Sequence, residues 1–324
     1  MDPLTKLIRD KLIEGQFPLT APYVERFKEK FPNGLLGVVF YGSMLSETTS
    51  TGTSFPDFFL VVEDYKTFYR KAFHAFLNRT LPPNIYYMNE KAQSGEETFL
   101  LKCKYNVISL THLEKEIATS DKDLYHLGRF TKRVALLYGR DETVADRLAC
   151  SIHAALLSLT PYALTRMSER FSAIEFGKAL LRLSYEGEVR VEKNEEKVEK
   201  LYEACGDYYS RLFPMLLDEF AKNRPDIRLE VDSPANAMYR LAWTAKMRSD
   251  AEKSTSRLMR RSRRRGMARW PKGILLVDNW VDILLDKVER THGYKIELTP
   301  MERRFVLILG WKHFFRLLRE GKIR

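Results

Sequence analysis

The residues that could do chemistry lie close together in residues 38–62, VVFYGSMLSETTSTGTSFPDFFLVV. One apolar run there ends in Tyr41, Gly42 and Ser43, and Asp57 begins the next. A glycine lets backbone N–H groups approach a phosphate, a serine hydroxyl adds a donor, and a helix that begins there favours negative charge. Asp57 could hold a Mg²⁺ that bridges this phosphate, because Mg²⁺ takes one or two carboxylates plus substrate oxygens. The segment therefore predicts a phosphate-binding turn beside a cation site.

The same residues also fit ordinary structural roles. Gly-Ser after a strand is common turn chemistry, and an aspartate at the head of a strand is often only a cap. No second carboxylate is close: the positions two before and two after Asp57 are Phe55 and Phe59. Glu63 is six residues along the same strand, roughly 20 Å away at about 3.3 Å per residue. The sequence identifies no second metal ligand.

Composition narrows the class of protein. The chain has 324 residues, a formal net charge of +11 and 44% hydrophobic residues, which predicts a globular protein of about two domains and excludes a disordered tail. Its three cysteines, Cys103, Cys150 and Cys205, are too far apart for a disulfide framework or a tetrahedral zinc site. The N-terminus carries mixed charges and no run of about 20 apolar residues occurs. We expect a soluble or peripheral protein of a reducing, prokaryotic-type cytoplasm, with an anionic partner.

The elements that must position the turn follow from periodicity. Helical spacing precedes residue 35, and apolar, β-rich runs then alternate with amphipathic stretches as far as Gly139. The predicted strands are LLGVVFYG, DFFLVVED, NIYYMN and ETFLLKCKYNVIS. After Gly139 the pattern is almost wholly helical to about residue 250, with a short two-stranded turn at GEVRVEK that favours a winged-helix-like module. The predicted class is α+β, with domains at 1–140, 141–250 and 251–324.

The third predicted region differs in charge. Seven arginines and no acid lie between Lys253 and Lys272, and the last 25 residues mix large apolar side chains with cations. This combination is typical of an interfacial amphipathic helix on an anionic bilayer. The predicted lipid-contacting residues are Arg269, Lys272, Trp311, Phe314 and Phe315. A nucleic-acid-binding charge run, or a C-terminal helix packed on the body, are the competing interpretations.

The strand, Gly-Ser turn and following Asp strand resemble the nucleotidyltransferase superfamily that includes DNA polymerase β, although that pattern has two aspartates. An ordered set of further motifs is similar to the mitochondrial-type phosphatidate cytidylyltransferases, in which the lone Asp is shared. The matching residues are Val39 to Ser43, Asp57 to Asp64, Tyr86-Tyr87, Lys104 to Ile108, Tyr125, Gly128, Arg129, Lys132, Val134, Leu183 to Tyr185, Gly187, Glu188, Arg190 and Lys272 to Ile274. Met44 and Asn106 replace usual glycines, and Glu188 replaces an Asp.

This resemblance implies a nucleotidyltransferase domain, a helical, winged-helix-like domain and a helical C-terminal region. It implies that CTP and phosphatidic acid react to give CDP-diacylglycerol and pyrophosphate on the cytoplasmic face of a membrane, with Mg²⁺ as cofactor. The implied catalytic residues are Asp57, which also holds the metal, Lys104 and Arg129. The implied CTP-binding residues are Tyr41, Gly42, Ser43 and Lys132.

Two other functions remain open on the sequence. One is a nucleotidyltransferase that modifies RNA, protein or another phosphate acceptor. The other is a non-catalytic nucleic-acid-binding protein in which the Gly-Ser turn is only a turn. The aromatic side chains beside the C-terminal cations favour a membrane over nucleic acid.

Overall fold

The computed structural model describes residues 1–46, 55–94, 97–118, 123–186, 195–233 and 236–276, together with 281–282, 285, 289, 295–304, 316 and 319. The predicted turn GEVRVEK and the predicted lipid-contacting residues Trp311, Phe314 and Phe315 lie outside these residues.

The first half of the chain forms a five-stranded mixed sheet with the order β3-β4-β2-β1-β5. Its strands are β1 Leu35–Tyr41, β2 Asp57–Val62, β3 Asn84–Ser94, β4 Glu97–Ser109 and β5 Ala135–Gly139. The β2–β4 pair is parallel and the other pairs are antiparallel. Four of these strands agree with the apolar runs in the sequence, whereas β5 was not predicted.

The strands β1 and β2 are buried on both faces, which explains their nearly unbroken apolar sequences. Because side chains alternate along a strand, Val39 and Phe59 enter one core while Phe40 and Phe58 enter the other. The first core is shared with the helices of the second half of the chain. Asp57 has the same parity as Phe59, so its side chain is on the face toward those helices.

The helices surround the sheet and continue into the second half of the chain. They are α1 Pro3–Ile13, α2 Ala21–Lys30, α3 Ser43–Ser46, α4 Tyr65–Phe68, α5 Ala72–Thr80, α6 Leu110–Ala118, α7 Leu127–Phe130, α8 Glu142–Leu164, α9 Ala173–Glu186, α10 Glu195–Ala204, α11 Gly206–Asn223, α12 Ala245–Leu276 and α13 Pro300–Arg304; short 3₁₀ turns lie at Pro18–Thr20 and Pro225–Ile227. No helix within the described ranges has both the length and the apolar character needed to span a bilayer.

A second, three-stranded antiparallel sheet lies in the region predicted to be helical. It consists of β6 Arg170–Ser172, β7 Leu229–Ser233 and β8 Met238–Leu241, in the order β6-β8-β7. The prediction of an almost wholly helical region to about residue 250 missed these strands, because strands of three to five residues leave almost no periodicity to detect. The predicted α+β class is confirmed at this coarser level.

The contact between α9 and α11 gives a test of core packing. A Cβ built on Gly177 would lie 2.2 Å from Cδ2 of Phe213, whose side chain is fully buried. We expect Gly177→Ala to lower the free energy of unfolding by about 1–3 kcal/mol, because the ring has no space to move into. Urea unfolding measures this change.

Gly206→Ala is the matched control for that experiment. Gly206 begins α11, and a Cβ there meets nothing within 4 Å. We expect its free energy of unfolding to stay within about 0.5 kcal/mol of the parent. Equal losses in the two variants would contradict the packing argument.

Candidate active site

The turn after β1 lies directly against the carboxylate of Asp57. In the antiparallel β1–β2 pair, Tyr41 is opposite Asp57, so the end of β1 meets the start of β2. Gly42 has a φ of 95°, and a Cβ on it would lie 2.9 Å from Oδ2 of Asp57. Ser43 then begins α3. Only a residue without a side chain allows the turn to approach the carboxylate this closely.

Lys104 faces Asp57 from the neighbouring strand. The parallel β2–β4 register pairs the two residues, and Nζ of Lys104 is 3.6 Å from Oδ1 of Asp57. Their side chains are 27% and 30% exposed, so a solute can reach both. Burial acts to lower the pKa of Lys104, but Tyr41 and the Asp57 carboxylate outweigh it and raise that pKa above its usual value. Lys104 is therefore a cation at neutral pH.

Asn106 connects the two tyrosines of the site. Its side chain is fully buried; Nδ2 donates to the hydroxyl of Tyr41, and Oδ1 accepts a 3.2 Å hydrogen bond from the hydroxyl of Tyr125. A buried amide that satisfies both its donor and its acceptor orients its partners. The asparagine at this usual glycine position therefore contributes to the architecture of the site, a role that the sequence pattern did not indicate.

Arg129 lies next to Tyr125. Its guanidinium donates to the carbonyl of Tyr125 at 2.8 Å, and its Cζ is 3.7 Å from the centre of that ring, a cation–π distance. The hydroxyl pKa of Tyr41 is raised by burial and by the charge of Asp57, while Lys104 and Arg129 act to lower it. The fold therefore brings Asp57, Lys104 and Arg129 within electrostatic range of one tyrosine.

Lys132 lies on the side of the site formed by α9. Its Nζ is 4.0 Å from the centre of the Tyr185 ring. Nearby, a Cβ on Gly128 would lie 2.9 Å from Cα of Ser184, so the backbones of α7 and α9 are in close contact. Two motifs that are more than 50 residues apart in the sequence meet here. The contact with Tyr185 joins Lys132 to α9.

Arg269 is in the interior and not on a lipid-facing surface. It is 7% exposed, its Nη2 donates to Asp123 at 2.7 Å, and its Cζ is 4.7 Å from the centre of the Tyr125 ring. Arg265 donates to the same carboxylate at 2.5 Å. Burial acts to raise the pKa of Asp123, but the Arg269 guanidinium holds that pKa below its usual range. This position corrects the prediction that Arg269 contacts lipid.

Lys272 also differs from its predicted surface position. It is 6% exposed, and its Nζ donates to the carbonyls of Leu81 and Pro83, the latter at 2.7 Å. Arg269 donates to the carbonyl between them, on Pro82, at 2.9 Å. Lys272 was predicted to contact lipid because the sequence does not show partners almost 190 residues away. Both residues bind α12 to the segment that leads from α5 into β3.

Comparison with protein families identifies the family of the chain. A family model described as phosphatidate cytidylyltransferase, mitochondrial, matches residues 25–274, about three quarters of the chain. The chain belongs to the mitochondrial phosphatidate cytidylyltransferase family. A comparison with curated proteins gives no match.

The activity of this family is synthesis of CDP-diacylglycerol from CTP and phosphatidic acid, and it is the function of the chain. The sequence-based prediction of a phosphatidate cytidylyltransferase is thus confirmed, and neither alternative function is favoured. The matched range includes Tyr41, Asp57, Lys104, Arg129 and Lys132, and ends before the aromatic C-terminal residues.

Gly42→Ala tests the close approach of the turn to Asp57. An alanine at this positive φ costs about 1–2 kcal/mol of stability, and its Cβ also displaces the carboxylate. Misplacement of a reacting group by about 1 Å can lower turnover on the order of 100-fold. We expect a loss of that size in CDP-diacylglycerol formation.

Gly34→Ala separates the effect of backbone strain from the effect of displacing the Asp57 carboxylate. Gly34 also has a positive φ, of 79°, but its Cβ would lie 3.5 Å from Thr67 and away from Asp57. Both variants should therefore lose similar thermal stability, while only Gly42→Ala should lose turnover. Equal turnover in the two variants would count against a role of the turn in catalysis.

The pKa of Lys272 predicts a pH dependence of stability. Burial, with a smaller effect of Arg269, lowers this pKa from 10.5 to about 7 in the folded protein. Between these values the unfolded chain binds a proton that the folded chain does not, so stability rises with pH across this window. Relative to Lys272→Met, the parent should gain stability from pH 7 toward pH 10.5 and show a constant difference below pH 7.

Urea unfolding at several pH values measures this difference. Lys253→Met, at an exposed lysine on the same helix, is the control and should leave the pH profile of the parent unchanged. A Lys272→Met profile parallel to that of the parent would show that Lys272 stays protonated in the folded state.

Proposed function

We propose that the rung formed by Tyr41, Asp57 and Lys104 is the catalytic centre for cytidylyl transfer, within a nucleotidyltransferase domain of the DNA polymerase β type. The observation that carries the proposal is the contact of Gly42 with the Asp57 carboxylate, on the same rung as a solvent-accessible lysine. We further propose that the helical second half is the winged-helix-like domain of this architecture. Its α9 contributes Ser184 and Tyr185 to the wall next to Lys132.

Asp57 is the proposed magnesium ligand. Its carboxylate is partly exposed, and Gly42 puts no side chain beside it. Glu63 does not assist, because it follows the opposite end of β2 and pairs with Arg140 at 3.0 Å. Among the described residues, the one cluster of three candidate metal ligands is Asp2, His153 and Glu219, which does not include Asp57. The remaining ligands would be nucleotide phosphates and water, the usual Mg²⁺ arrangement; the ion would neutralise phosphate charge.

The proposed roles of the other residues follow from their charges. Lys104 and Arg129 stabilise the charge that develops on the phosphates, and Ser43 with the adjacent backbone binds the triphosphate. Lys132 is the proposed outer cation of the CTP site. Arg129 is held by the Tyr125 carbonyl and ring, so its orientation is set before substrate arrives.

The reaction requires no strong base. A phosphate oxygen of phosphatidic acid attacks the α-phosphorus of CTP, a new P–O bond forms, and the bond to the β-phosphate breaks to release pyrophosphate. A phosphate monoester with a second pKa near 6 is mostly ionised at neutral pH. His126 contacts the rings of Phe59 and Tyr125 but is 2% exposed, and burial lowers its pKa well below the usual range. A neutral, enclosed imidazole is unsuited to act on the substrate.

The proposed location is the cytoplasmic face of a membrane, to which the protein binds peripherally. The support is chemical: phosphatidic acid is an anionic membrane lipid, and the chain has an excess of 11 positive charges. Trp311, Phe314 and Phe315 stay predicted lipid contacts.

Asp57→Asn tests the metal ligand. The substitution keeps the size of the side chain and removes its charge, so we expect turnover to fall by at least about 100-fold while the melting temperature changes little. The assay combines purified protein, CTP, Mg²⁺ and phosphatidic acid in detergent and measures CDP-diacylglycerol. A second readout is the thermal shift caused by CTP with and without Mg²⁺, which should lose its Mg²⁺ dependence in the variant.

Glu63→Gln is the matched control, because it neutralises a carboxylate at the other end of the same strand. Its turnover and CTP-induced shift should equal those of the parent. A large loss of stability in Asp57→Asn would make Asp57 structural, and equal turnover of ATP and CTP by the parent would contradict the cytidylyl assignment.

A further inference from the structure

Helix α5 presents an unusual outer surface. Phe73 and Phe76 are 52% and 60% exposed, and a spacing of three residues puts them on the same side of the helix. Two large exposed aromatic side chains on one helical turn form an apolar patch of the kind that marks an interaction site.

The inner side of α5 is fixed to the sheet. Asn78 is fully buried and donates to the carbonyl of Val107 at 2.8 Å and to the hydroxyl of Tyr69 at 2.9 Å. It also accepts a 2.9 Å hydrogen bond from the backbone N–H of Asn84. Because these contacts set the rotation of the helix, Phe73 and Phe76 are held facing outward.

The patch is flanked by cations. Residues 65–89 contain Lys66, Arg70, Lys71 and Arg79 and no aspartate or glutamate. Among the described residues, no ion pair involves any of these four. Several other surface cations of this half of the chain form ion pairs. Examples are Arg26 and Lys30 with Glu90, Arg140 with Glu63, and Arg147 with Glu114.

We propose that α5 docks the enzyme on an anionic membrane, with Phe73 and Phe76 entering the boundary between headgroups and acyl chains. Arg70, Lys71 and Arg79 bind the lipid phosphates around them. Exposed aromatics on one helical face with flanking cations are the signature of interfacial helices. The choice of a lipid surface rests on the proposed function, because the substrate phosphatidic acid is itself an anionic lipid.

The position of α5 suits delivery of this substrate. The segment after α5 leads through Leu81–Pro83 into the edge strand β3, where Tyr87 is opposite Lys104. Tyr87 is 43% exposed and is about 10 Å along the strand from Asn84. Arg269 and Lys272 hold the connecting carbonyls, so the docking helix and the catalytic rung are joined by a rigid segment.

The test is flotation of the full chain with phosphatidylcholine vesicles, with and without phosphatidic acid. We expect the parent to bind only the anionic vesicles. Phe73→Ser combined with Phe76→Ser should weaken this binding on the order of tenfold or more. Ile174→Ser, at a 51% exposed isoleucine on α9, is the control for removal of surface apolar area and should bind like the parent.

Reversal of surface charge is an independent test of the proposed docking. Arg70→Glu with Lys71→Glu should abolish vesicle binding at moderate salt. Lys222→Glu with Lys246→Glu makes the same change in net charge at exposed positions elsewhere on the chain. This control pair should retain most of the vesicle binding. Equal losses in the two pairs would mean that net charge, and not α5, governs binding.

Turnover of a short-chain, soluble phosphatidic acid separates this proposal from the proposed function. The α5 variants should keep parental turnover on the soluble lipid and lose it on vesicles. A parent without turnover on the soluble lipid would refute the proposed function. The docking role would be overturned if the parent is active but does not bind anionic vesicles, or if the α5 variants float like the parent. In either case α5 would be a surface for another kind of partner.

Discussion

The proposed active site depends on the strand register that puts Tyr41, Asp57 and Lys104 side by side. β2 lies between an antiparallel and a parallel neighbour, so its first residue meets the end of β1 and the middle of β4. Both faces of β2 are packed, and a shift of one residue would exchange the side chains of its two cores. The hydrophobic effect therefore fixes the position of the proposed catalytic carboxylate through the packing of the strand that carries it.

A second layer of aromatic and cationic side chains surrounds Arg129, one of the proposed catalytic cations. Tyr125 has Arg129 at its ring, Arg269 in cation–π range of that ring, and Asn106 at its hydroxyl. Through these contacts helix α12 reaches the site although it provides none of the proposed catalytic groups. Part of the basic excess of the chain is thus internal, since Arg265 and Arg269 neutralise the buried Asp123.

The sequence predicted those parts of the site in which a chemically reactive residue lies at the end of, or within, a clear apolar run. The Gly-Ser turn, the Asp strand and the Lys104 strand were predicted from apolar runs of six or more residues and from the family resemblance. β5 and the three short strands of the second sheet were missed because so few residues carry no clear period. Arg269 and Lys272 were interpreted as surface charges because burial of a cation depends on partners that are distant in the chain. Asn106, which the pattern marked only as a departure from glycine, orients two tyrosines of the site.

The attachment of α12 to Asp123 limits how the chain can be shortened. Removal of the aromatic C-terminus for solubility would be compatible with the fold only if the cut follows the end of α12 at Leu276. A cut inside the arginine run would leave Asp123, at 5% exposure, without its guanidinium partners, and an uncompensated buried charge costs about 3–5 kcal/mol. The arginines that look most dispensable in the sequence are in this respect part of the folding unit.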